Sequence, residues 1–150
     1  MVIDFLRSQQ MIKASELAGT SAAHAFWSIA NGETSIPILS YTNERNERKM
    51  ERLVFDDLHA AVEHGRHRLK SNEMDANDSA LVYEDCIIIE EKRVDALIVE
   101  MRSYFSPAST AALAIPYTSR NSEQFRLHRP RIIEWANCDD FEINHVLKCF

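Results

Sequence analysis

The chain predicts an α+β domain, an antiparallel β-meander covered by helices, with a helical segment at its N-terminus. Three observations carry this. Residues 80–104, ALVYEDCIIIEEKRVDALIVEMRSY, are two runs rich in β-branched and aromatic residues around a charged break, the pattern of an antiparallel hairpin. Residues 56–71 place Leu58, Ala61, Val62, Gly65 and Leu69 on one helical face, with His59, Glu63, His67, Arg68 and Lys70 around the rest. Residues 2–30 also carry apolar spacings of helical period.

In chain order, residues 2–18 form a helix with Ile3, Leu6, Met11, Ala14 and Leu17 on one side, and Gly19 stands where a C-terminal cap belongs. Thr20 or Ser21 then caps a second helix bearing Ala22, Ala25, Phe26, Ile29 and Ala30, stopped by Asn31 and Gly32, with Trp27 at the margin of the stripe. Residues 36–41 and 50–55 are short strands joined by the polar block TNERNERK. Pro37 has no N–H for a ladder, so its strand lies at an edge or begins there. Asp56 or Asp57 opens the helix of residues 56–71, which crosses one face of the hairpin; Gly65 in its apolar stripe implies close contact with the sheet.

With Glu91 and Lys92 as a two-residue turn, Ile89 faces Val94, Ile87 faces Ala96, Asp85 faces Ile98 and Tyr83 faces Glu100. The opposite face then carries Ile88, Asp95, Cys86, Leu97, Glu84 and Val99. A hairpin apolar on both sides is central in its sheet and covered on both faces, or by a helix on one and a partner on the other. Residues 110–118 form a further strand, residues 125–135 another interrupted by Pro130, and the segment from Asp139 a short helix with Ile143, Val146, Leu147 and Phe150. That last helix belongs on the remaining sheet face or across a dimer interface, with Cys149 buried beside Phe150.

At 150 residues with 45% hydrophobic and 27% charged side chains, one domain spanning residues 1–150 is expected. A formal charge of −6 repels polyanions, which argues against nucleic acid and anionic membranes as partners. The start MVIDFLRSQQ lacks the basic end and apolar core of a signal peptide, and no run reaches the length of a membrane span, which places the chain in a bacterial-type cytoplasm. The three cysteines, Cys86, Cys138 and Cys149, are odd in number and far apart, against a disulfide framework.

Two groups of side chains could carry chemistry. Asp85, Asp95 and Glu100 interrupt an apolar hairpin, and carboxylates in such a setting can serve as acid and base. Arg126, His128, Arg129 and Arg131, grouped in RLHRPR, can either neutralise those acids or bind an anionic ligand. His59, Glu63 and His67 are spaced i, i+4, i+8, a rise of roughly 12 Å across the set, too long for one ion, so no metal and no cofactor are expected. GxSxG and glycine-rich phosphate loops are absent from the sequence.

The leading expectation is therefore a non-enzymatic interaction or assembly domain that forms a homodimer through apolar sheet and helix surface. The second is a small enzyme or ligand-binding protein with a pocket between the helix of residues 56–71 and the sheet, using Asp85, Asp95 or Glu100 with an arginine. Convergence of Asp85 and Glu100 in an open pocket, with no arginine neutralising them, would favour the second.

Overall fold

The structure, a computed structural model, describes residues 2–105, 109–118 and 125–136. A helix α1 (Val2–Ala30) is followed by strands β1 (Ile38–Thr42) and β2 (Arg48–Arg52), and then by helix α2 (Leu58–Ser71). Strands β3 (Asp78–Ile89), β4 (Lys92–Ser103), β5 (Ser109–Thr118), β6 (Arg126–Leu127) and β7 (Arg131–Ala136) complete the order. They form one antiparallel seven-stranded sheet in the order β2-β1-β3-β4-β5-β6, with β7 also paired to β5. The α+β meander is the expected one, and the long hairpin stands at its centre.

Alternation along the strands divides the core in two. Ala80, Val82, Leu97, Val99, Met101 and Ala111 face α1, whose Met11, Ala14, Leu17, Ala18, Ala22, Ala25 and Ile29 are buried against them. Leu39, Leu81, Tyr83, Ile98, Ala112 and Ala114 face the other way, with Ala61 and Leu69 of α2. Both faces are thus covered by helices of this chain, which is why the hairpin reads as apolar on both sides.

The N-terminal segment is one helix, not two. Gly19 does not stop it, because the apolar positions on either side form a single stripe. Packing along that stripe outweighs the roughly 1 kcal/mol that an interior glycine costs. Thr20 and Ser21 accordingly do not cap: the Thr20 hydroxyl donates back to the Glu16 carbonyl at 3.1 Å, and Ser21 is buried with its Oγ 2.9 Å from Ser40 Oγ. Trp27 is not at the margin of the stripe but on the solvent side, 67% exposed.

Asp57 caps α2, its carboxylate accepting from the His59 amide at 3.0 Å, and Asn72 ends the helix at φ 53°, its amide bonded to the Arg68 carbonyl. Gly65 meets the sheet directly: a Cβ there would lie 2.7 Å from Leu81 Cδ1 and 2.8 Å from Leu53 Cδ1. Pro37 stands just before β1, which lies inside the sheet, so the strand begins after the proline as the second alternative required. The outer strand runs over Arg48–Arg52 instead of residues 50–55. It is the sheet edge, exposed almost throughout, and charge there blocks pairing with other chains.

The hairpin turns on Glu90 and Glu91, at φ 50° and 66°, so Ile89 pairs with Lys92, Asp85 with Ala96, Tyr83 with Ile98 and Leu81 with Glu100. The register is shifted by two residues from the expected one. A two-residue shift keeps every side chain on its face, so the division into two faces stands although the individual pairs do not. Pro130 separates β6 from β7, and the segment from Asp139, with the expected terminal helix, lies outside the described residues.

Candidate functional site

Glu100 is the only one of the three hairpin acids that the sheet buries. On β4 it faces α2, 3% exposed, accepting a hydrogen bond from the Tyr83 hydroxyl at 2.6 Å. Arg66, next to Gly65 on α2, places Nε 3.2 Å from the same Oε2, and its NH1 lies 3.5 Å from Glu63 Oε1. The close approach at Gly65 brings α2 near enough for this reach.

Burial pushes the Glu100 carboxyl up from the ordinary range, while Arg66 and the Tyr83 hydroxyl pull it back toward the charged form. Burial opposes the Arg66 charge, yet Glu100, then Tyr83 and Glu63, outweigh it and hold the guanidinium more firmly protonated than usual. Burial, followed by the Glu100 charge, raises the Tyr83 hydroxyl well above its normal range. The three groups form a satisfied charge-assisted triad.

Glu100 and Arg66 of that triad line a cleft of about 360 Å³ between α2 and the β4–β5 part of the sheet. Glu63, Arg66, His67 and Lys70 line one side, and Glu100, Arg102 and Thr110 the other. Arg102 is buried, its NH1 3.4 Å from the Lys70 carbonyl. The cleft lies between α2 and the sheet, where a pocket was expected, and of the three expected acids it holds Glu100 but not Asp85 or Asp95. Asp85 and Asp95 are both exposed near the hairpin tip, where Asp85 bonds the Cys86 amide at 2.7 Å and Asp95 receives Cys86 Sγ at 3.5 Å. Asp85 shares the α2 face with Glu100 but does not join it: it stands exposed toward the hairpin tip.

The arginine that neutralises Glu100 is also not from RLHRPR. His128, Arg129 and Arg131 line a different, open cavity of about 670 Å³ with Ile89, Val94, Pro116, Thr118 and Pro130, and Arg126 is exposed on β6 outside that lining. His128 Nε2 lies 3.2 Å from Thr118 Oγ1. Of the spaced set on α2, His59 is exposed, Glu63 turns to Arg66, and His67 pairs with Glu73 at 3.2 Å, so the three do not converge.

Sequence reading missed Arg66 and Arg102. A signal for Arg66 was present: Glu100 and Tyr83 share a face, α2 crosses that face, and Arg66 follows the one residue of α2 without a side chain to hold it off. Among the described residues no helix is long and apolar enough to cross a membrane. Comparison with known proteins finds no matching family model, no matching curated protein and no matching solved structure.

Proposed function

We propose that this chain is a non-enzymatic interaction domain that assembles with a second copy of itself. What supports the reading is the outer face of α1, where Trp27 stands exposed beside an open groove lined by Glu16, Gly19, Thr20, Ala23, His24 and Arg48. An exposed tryptophan next to small residues offers the large apolar contact and the receiving hollow that interface cores use.

The face is self-complementary. Gly19 and Trp27 are equally spaced about Ala23, roughly 12 Å apart along the helix. In a twofold antiparallel pairing centred on Ala23, each Trp27 stands over the Gly19 of the other copy, where no atom lies within 4 Å of a built Cβ. Charge permits this approach: Glu16 is paired with Arg48 at 3.1 Å, so the face adds no repulsion between copies that each carry −6 overall. Sedimentation equilibrium of the parent and of Trp27→Ala tests the reading. A dimer that the substitution converts to a folded monomer is expected; a parent that stays monomeric at high concentration ends it.

The cleft beneath α2 favours one further reading, ligand binding at the place named from the sequence. Its central carboxylate, Glu100, is already engaged by Arg66 and Tyr83 and is not poised for proton transfer. A ligand there would meet the basic side chains at the rim, and binding without turnover is the activity that fits.

A further inference from the structure

Four neighbouring strands present polar side chains at one level of the sheet. Thr42 of β1 stands opposite Asp78 of β3, Asp78 opposite Ser103 of β4, and Ser103 opposite Ser109 of β5. Directly opposed residues share a face, so the four form one row, on the side that α1 covers. Their exposures are 4, 1, 0 and 2%.

The next row inward on the same face is Ser40, Ala80, Met101 and Ala111, and there the one hydroxyl is satisfied by Ser21 of α1. The outer row is different. Thr42 Oγ1 reaches Asp78 Oδ2 only at 3.5 Å, while Asp78 Oδ1, Ser103 Oγ and Ser109 Oγ have no hydrogen-bond partner. Buried oxygens without partners are rare and costly, and three of them in adjacent positions share one need. Burial pushes the Asp78 carboxyl up; the Ser103 hydroxyl, near enough to favour its charge although outside hydrogen-bond geometry, acts against that rise with Lys13 and Thr42.

The donor set is hard oxygen alone, with one formal negative charge and no nitrogen or sulfur. That chemistry disfavours zinc and copper, and a single carboxylate balances a single positive charge. Adjacent strands lie about 4.8 Å apart, which puts an ion seated over Ser103 within reach of a side chain on each flanking strand. We propose that this row binds a monovalent cation, sodium or potassium, held by the Asp78 carboxylate and the hydroxyls of Ser103 and Ser109.

Lys13 is the rival. Its ammonium is 3.4 Å from Asn46 Oδ1, on an exposed side chain whose charge acts on Asp78. Thermal melting in sodium, potassium and choline chloride at equal ionic strength separates the possibilities. A ligand that binds only the folded state raises the midpoint with the logarithm of its concentration. The midpoint is expected to be higher in sodium or potassium than in choline, the larger response naming the ion. The difference should vanish in Asp78→Asn and shrink in Ser103→Ala. Lys13→Met should enlarge the response. Equal melting in all three salts would overturn the proposal, as would a response that survives Asp78→Asn. A Lys13→Met protein that is destabilised and insensitive to the cation would show that lysine does the neutralising. Should Asp78→Asn fail to fold, Ser103→Ala and Ser109→Ala carry the same comparison.

Discussion

Arg66 of α2 and Glu100 of β4 meet at 3.2 Å across the helix–sheet boundary, and each favours the other's charged form against the burial that opposes it. Arg66→Met leaves the buried carboxylate with the Tyr83 hydrogen bond and the weaker influence of the Arg102 charge. Removing one member of a buried pair costs roughly 3 kcal/mol or more, and the partial exposure of Arg66 sets the expectation at the low end.

The same pair fixes a pH dependence. Glu100 has a folded-state pKa above its unfolded one, so the folded chain binds more protons between the two values and stability falls as pH rises through that window. Without Arg66 the folded value climbs further and the window widens. The penalty of Arg66→Met, measured by urea unfolding, should therefore be largest near neutral pH and fade as the pH drops into the ordinary carboxylate range. A penalty that stays constant with pH would mean that Arg66 acts through packing.

Gly65→Leu should be strongly destabilising. The Cβ alone would lie within 3 Å of Leu81 and Leu53, and a larger side chain must drive α2 off the sheet. Overpacking costs about 1 to 3 kcal/mol, and retreat of the helix also pulls Arg66 from Glu100. Thermal melting gives the loss. In the Arg66→Met background the further loss should be smaller than in the parent, since that contact is already gone.

Much of this was legible in the sequence. The hairpin faces follow from a period of two, and the face assignment survived a wrong turn because parity does not change under a shift of two residues. Gly65 was readable because a glycine in an apolar stripe has few other uses. Three things were not readable. The single helix α1 was hidden by Gly19, whose local preference is overruled by packing against strands far away in the chain. The bounds of the edge strand, Arg48–Arg52 and not residues 50–55, were hidden because an exposed edge needs no alternation. Asp85, Asp95 and Glu100 look alike in sequence, yet Asp95 is exposed on the α1 side, Asp85 is exposed on the α2 side toward the hairpin tip, and of the three Glu100 alone is buried, where Arg66 of α2 reaches it.

Gly19→Leu separates assembly from folding. A leucine at an exposed helix position with nothing nearby should gain up to about 1 kcal/mol in helix propensity over glycine. The same side chain would fill the hollow into which the second copy's Trp27 is proposed to fit. The expected result is a protein whose melting point in dilute solution is equal or higher and whose dimer, by light scattering after gel filtration, is weakened. An unchanged dimer would place the interface elsewhere, with the exposed Val54, Phe55 and Leu58 next in order.

The hairpin turn gives the last prediction. Glu90 and Glu91 both have positive φ, the geometry of a two-residue turn with the mirror-image hand that matches strand twist. Left-handed backbone costs an L-residue with a Cβ roughly 1 to 2 kcal/mol, and asparagine and glycine are the residues that relieve it. The two carboxylates also stand side by side at the tip and repel one another. Glu90→Asn with Glu91→Gly removes both penalties and touches nothing in either core. The double variant should be more stable than the parent by about 1 to 2 kcal/mol. For a chain of this size that is a rise of a few degrees in Tm. If instead the turn lay at Glu91 and Lys92, a glycine at position 91 and an unchanged lysine would leave its second position strained, and moving the same pair to Glu91→Asn with Lys92→Gly would stabilise more. Comparing the two double variants by thermal melting therefore reads out the register of the central hairpin in solution.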